Sequence, residues 1–176
     1  KKMRAFKKKH GKILLVFPMH STDDSHLSVQ EELFVKKVKD IGGEFDSVVI
    51  NTFWWNINDS LIQRFASEGC HISCAGFRDD PFFLNRLKTL IDVADLAVGD
   101  GVGTHIGYCI SRGVPFRLIE VGSSYGESPF TEDSGDVHVR EIYDTFLDTT
   151  SITEQQINIC NKYWGTDIHC SKEELR

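Results

Sequence analysis

Four short stretches of this chain hold most of the side chains that could bind or transform a ligand. PMHSTDDS (18–25) brings His20 and Ser21 together with Thr22 and two acids. TFWWNIND (52–59) brings Trp54 and Trp55, and GFRDDP (76–81) brings Arg78. GDGVGTHIG (99–107) combines Gly101, Gly103, Thr104 and His105. Glycines before a helix tolerate tight turns and admit a ligand close to the backbone. A helix starting at Thr104 or His105 would aim unpaired N–H groups and its positive end at whatever lies above the turn. That chemistry suits phosphate. The spacing departs from the GxGxxG dinucleotide fingerprint, because the third glycine is displaced to Gly107.

The other turns add groups of the same kind. His20 can donate to a phosphate, with Ser21 and Thr22 adding hydroxyls, or Ser21 and Asp24 can simply cap the next helix. Arg78 can clamp phosphate bidentately or pair with Asp79 or Asp80. Thr104 and His105 have a plain reading as an N-cap and a surface histidine. Trp54 and Trp55 can stack on a base or sugar, or belong to the core, where large aromatics are usually found. No cysteine sits in a motif that pairs it with histidine. No catalytic residue is therefore assigned. Cys70, His71 and Cys74 with His169 and Cys170 match zinc-site spacing poorly, so no metal site or cofactor is expected.

These turns need elements to position them. ILLVFP (13–18) reads as a buried strand that ends at its proline. A helix from Leu27 carries Phe34, Val38 and Ile41 and stops at Gly42–Gly43. FDSVVINTFWW (45–55) reads as a second strand, followed by a helix capped at Asn58 or Asp59. CHISCAG (70–76) is a third strand, and a helix opened by Pro81 carries Phe83, Leu87, Leu90, Ile91 and Ala94. LAV (96–98) and FRLIEV (116–121) are the fourth and fifth, on either side of a helix that runs to about Arg112. Five alternations specify an α/β fold, a Rossmann-like doubly wound parallel sheet of about five strands. VREIYDTFLD and TEQQINICNKYWG add C-terminal helices.

Composition bounds the function. The 176 residues carry a net charge of −6, yet residues 1–12 hold seven Lys or Arg and no acid, leaving 13 basic against 26 acidic residues in the rest. The basic start reads as a linker, a helix or an N-terminal extension that could touch an anionic membrane peripherally. The acidic body argues against nucleic-acid binding. Five cysteines without paired spacing suit a reducing compartment. With no apolar run of membrane-spanning or signal-peptide type, a cytoplasmic protein is expected.

The segment GFRDDPFFLNRLKTLIDVADLAVGDGVGTHIGYCISRGVPF (76–116) resembles the C-terminal half of bacterial surface-polysaccharide glycosyltransferases of the two-domain GT-B fold. TEQQINICNKYWG and SKEEL resemble their closing helices. Such relatives often carry serines where this chain has Gly99, Asp100 and Gly101. The resemblance implies that residues 13–176 are a donor-binding domain, half of a two-domain protein whose other half takes a glycan or lipid-linked acceptor. Lys1, in place of an initiator methionine, fits that expectation. It also implies that His20 and Ser21 form a phosphate turn, and that Gly103, Thr104 and His105 form the helix start receiving the donor phosphates without metal. Replacing His20 or His105 is then expected to weaken nucleotide binding with the melting temperature nearly intact. ADLAVGDGVGTHIGY and RGVPF are also similar to nucleoside deoxyribosyltransferases, although His105 stands where those enzymes place a glutamate nucleophile. A non-catalytic nucleotide-binding or interaction domain is the remaining alternative.

Overall fold

The computed structural model describes residues 2–19, 31–121 and 137–168. Five parallel strands form one sheet: β1 (Ile13–Phe17), β2 (Ser47–Thr52), β3 (His71–Cys74), β4 (Leu96–Gly99) and β5 (Phe116–Leu118), in the order β3-β2-β1-β4-β5. The connecting helices are α2 (Glu31–Gly42), α3 (Ser60–Ser67), α4 (Phe83–Val93) and α5 (Thr104–Ser111). A helix α1 (Lys2–His10) precedes the sheet, and α6 (Val137–Phe146) and α7 (Glu154–Trp164) follow it. This is the Rossmann-like α/β architecture that the alternation specified. Among the described residues no helix is long and apolar enough to cross a membrane.

The central strand explains the layering. All five residues of β1 are buried, because each face of the sheet is covered by helices. Ile13, Leu15 and Phe17 enter one core with residues of α4 to α7, while Leu14 and Val16 enter the other with residues of α2 and α3. In the second core Phe34 and Phe65 meet edge to face at 5.7 Å.

β3 keeps only His71–Cys74 of the expected 70–76, and β2 and β5 are also shorter than expected because each stops where its ladder partner ends. β2 pairs with β3 only as far as Thr52 opposite Cys74, so the chain beyond has no ladder partner and coils into a 3₁₀ turn, Trp54–Asn58. Asn56 holds that turn by donating to Asp59 at 2.6 Å. β5 likewise runs only to Leu118, opposite Gly99 where β4 ends. Ile119 and Val121 remain buried without being strand. Pro81 lies before its helix, and Asp80 accepts the Phe82 N–H at 2.7 Å to start the turn into α4.

The C-terminal helices complete the first core. Ile142 and Phe146 of α6 and Ile159 and Cys160 of α7 are buried in it, and Leu147 adds a parallel bridge to Leu118 at the sheet edge. A capping box starts α7, in which Thr153 and Gln156 exchange side-chain and backbone bonds. Gln156 is also fully buried and donates to Thr149 Oγ1 at 2.9 Å and to the Thr145 carbonyl at 3.3 Å. Gln156→Ala should strand these buried acceptors and cost about 2–3 kcal/mol, read as a fall in melting temperature of roughly 5–10 °C.

Candidate functional site

In open α/β sheets ligands collect beyond the carboxyl ends of the strands, where the strand order reverses. Here that point lies between β1 and β4, which pair in register from Leu14–Leu96 to Phe17–Gly99. The turn from β4 into α5 spans residues 100–103, so Gly101, Gly103, Thr104 and His105 meet at the switch point.

The glycines of this turn are packed against neighbouring side chains. A Cβ on Gly101 would lie 2.3 Å from Cγ and Sδ of Met19, whose side chain covers this bend from the end of β1. Gly103 is the N-cap of α5 with extended backbone (φ −167°), which any residue adopts, but a Cβ there would come within 2.9 Å of the His105 ring. A glycine cap has no side chain to occupy the helix end, and the first turn of α5 contains no acid. Thr104 is exposed and presents its hydroxyl at the rim. The positive end of the helix is thus left without a capping side chain.

His105 is oriented inward. Its ring stacks on Phe17 at 4.9 Å with 19° between planes, lies 5.2 Å from the Phe116 ring, and buries Nε2 near Gly99. Long helical side chains lean back over the preceding turn, which places this ring beneath the loop as its floor.

Asp100 is the residue that sequence reasoning passed over. It is only 1% exposed, its Oδ1 accepts the Met19 N–H at 2.7 Å, and its Oδ2 is buried with no hydrogen-bond partner among the described residues. Burial pushes its carboxyl up to about 6, against the pull of the Met19 and Asp100 amides. An acid between two glycines in a loop signals solvation or capping by itself. Only the seating of Met19 over the turn buries it.

Among the described residues, Arg78 does not join this turn. Arg78 follows β3, three strands from β4 on the same rim and so roughly 14 Å across the sheet. Its side chain is 75% exposed, with Nε 3.6 Å from Asp79 Oδ1. His20 and Ser21 lie outside the described residues, as do His169 and Cys170. Trp54 and Trp55 are not core residues: they are 37% and 60% exposed, and Trp54 meets both Trp55 (5.1 Å) and Phe77 (5.6 Å) edge to face on the rim above β2 and β3. Cys74 uses its Sγ to accept the Gly76 N–H at 3.1 Å. Among the described residues no three His, Cys, Asp or Glu side chains converge as a metal site.

No family profile matches this chain, and no curated protein matches it. Among solved structures it is similar to the crystal structure of a glycosyl transferase family 9 protein from Veillonella parvula DSM 2008, at 18% identity and a TM-score of 0.45. The similarity covers 67% of this chain and 33% of that one, so the chain spans about a third of that protein's length. A likeness at this level says nothing about the chemistry of this chain.

Proposed function

We propose that the switch-point crevice binds the phosphates of a nucleotide-activated sugar, and that the chain is the donor-binding part of a GT-B-type glycosyltransferase for surface polysaccharide or lipopolysaccharide. The observation that carries this reading is the start of α5 at the strand-order reversal, with a glycine cap and no acid in its first turn. The resemblance of residues 76–116 to the donor halves of such enzymes supports it. Glycosyl transfer releases a nucleoside phosphate, and the charge developing on that leaving group is what the site must stabilise. Amides and the dipole of α5 supply part of this, and the Thr104 hydroxyl can donate to a phosphate oxygen. His105 acts from below by holding the turn against Phe17 and Phe116. In this reading a glycan or lipid-linked acceptor is held by a second α/β domain, which also contributes the general base.

The exposed Trp54 and Trp55 lie on the same rim and offer ring faces to a base or sugar. Arg78 follows a strand three places from β4, so in this reading it serves a more distant part of the ligand than the α5 phosphate.

The test is thermal denaturation of the chain with CMP, UDP and their sugar conjugates. A ligand at a hundred times its Kd should stabilise the fold by about 2.7 kcal/mol and raise the melting temperature by roughly 5–10 °C. Thr104→Val should reduce that shift without lowering the melting temperature of the free chain. The absence of a shift with every nucleotide would favour an interaction module on this fold.

A further inference from the structure

We infer that α1 is a docking surface for an anionic membrane, placed at the end of the sheet opposite the crevice. Residues 1–12 hold seven of the chain's 20 Lys and Arg and none of its 26 acids, a charge complementary to anionic headgroups. Clusters of four to eight basic residues on a helix suffice for such recognition.

The structure makes this stretch a fixed part of the domain. Lys7 pairs with Asp95, the Ser47 hydroxyl donates to the His10 carbonyl at 2.9 Å, and the His10 ring meets His71 edge-on at 5.5 Å. Gly11, at φ +64°, then turns the chain into β1, as a left-handed residue at a helix end does. Asp95, Ser47 and His71 stand just before β4 and at the starts of β2 and β3, so α1 lies beneath the amino ends of the strands.

The inward groups of α1 are therefore used in packing, and the outward ones are left for a partner. Lys8 and Lys9 are exposed and make no ion pair among the described residues, and Phe6, one turn before His10, is exposed with its ring stacked on His10 at 4.2 Å. The carboxylates that α1 and its turn meet are engaged: Asp95 accepts the Ile13 N–H at 2.8 Å as well as Lys7, and Asp46 accepts the Lys12 N–H at 2.7 Å. Unpaired lysines on the outward side of a helix whose inward groups are docked form a basic face for anionic lipid.

The geometry has a functional consequence. The five residues of β1 separate α1 from the switch point by about 16 Å, so a chain lying on lipid through α1 holds its crevice away from the surface. Lipid and nucleotide then bind independently, and the proposal stands or falls apart from the function assigned above.

The test is sedimentation of the chain with vesicles of phosphatidylcholine alone or with 30% phosphatidylglycerol, at low salt. The wild type should bind the anionic vesicles selectively and be released by 1 M salt, where screening shortens to about 3 Å. K8Q/K9Q should weaken binding about 30-fold, from two basic residues at about 1 kcal/mol each, and K8E/K9E should weaken it further. Both variants should keep the wild-type melting temperature, because neither lysine is paired in the fold. Equal binding to neutral vesicles, wild-type binding by K8Q/K9Q, or displacement of the vesicles by an RNA oligomer at equal charge would overturn the proposal.

Discussion

Replacing His105 with alanine is expected to lower the melting temperature of the chain by roughly 6–12 °C and to weaken nucleotide binding in the same variant. The ring fills the space between Phe17, Phe116 and the backbone of Gly99 and Gly103. Its removal leaves a cavity under the α5 turn, and truncation of a packed aromatic costs about 3 kcal/mol, worth 2–4 °C per kcal/mol in a chain of this size. The expectation drawn from sequence was different: a histidine donating to phosphate could be removed at little cost to the fold. His105→Phe separates the two roles. It preserves the stacking, so stability should stay within about 1.5 kcal/mol of wild type. If the ring serves as the floor of the turn, nucleotide affinity measured by calorimetry should survive in His105→Phe and fall in His105→Ala. Loss of affinity in both variants, with His105→Phe still stable, would show that an imidazole nitrogen contacts the ligand.

Asp100→Asn is expected to relieve a pH-dependent penalty of about 3 kcal/mol at pH 7, offset by about 1–3 kcal/mol for the amide NH2 that replaces the buried Oδ2, and to remove the pH dependence of nucleotide binding. The magnitude follows from a carboxyl raised from 3.8 to about 6, at 1.36 kcal/mol per unit. The sign follows from the direction. Below about 3.8 the carboxyl is protonated in both the folded and unfolded chain and carries no penalty. Between 3.8 and 6 the unfolded chain ionises while the folded one resists, so stability falls across that window and stays lower above it. Asparagine keeps an oxygen for the Met19 N–H and lacks the ionisation, so unfolding experiments at pH 4 and pH 7 should show the difference between variant and wild type growing with pH.

The same carboxylate bears on the ligand. An ionised Asp100 next to the α5 turn opposes a phosphate there, so binding draws on the protonated form of the protein. Apparent affinity of the wild type should then fall about eight-fold between pH 5.5 and pH 7, while Asp100→Asn binds uniformly. Parallel pH profiles in wild type and variant would remove Asp100 from the site.

The sequence alone placed the five strands and the helices between them, though not where the outer strands stop or that residues 2–10 are helical. The alternation of apolar runs with helical periodicity, the Gly42–Gly43 stop, and the helix start after Gly103 are local signals, written in neighbouring residues that must share a backbone conformation. They also placed the glycine-rich turn and Thr104 at the carboxyl end of a parallel sheet, because every strand in such a sheet points the same way.

What only the tertiary structure decided is which residues meet. Strand order puts Arg78 three strands from β4, and nothing in its neighbours encodes that separation. Asp100 is buried because Met19, 81 residues earlier, closes over Gly101, and His105 turns inward because Phe17 and Phe116 offer their rings from β1 and β5. The basic start becomes a docked helix through Asp95 and Ser47, and the two tryptophans stay at the surface because the ladder between β2 and β3 ends at Thr52. Each outcome depends on contacts between distant segments. Packing selects them only once the sheet is assembled, whereas backbone preference acts residue by residue.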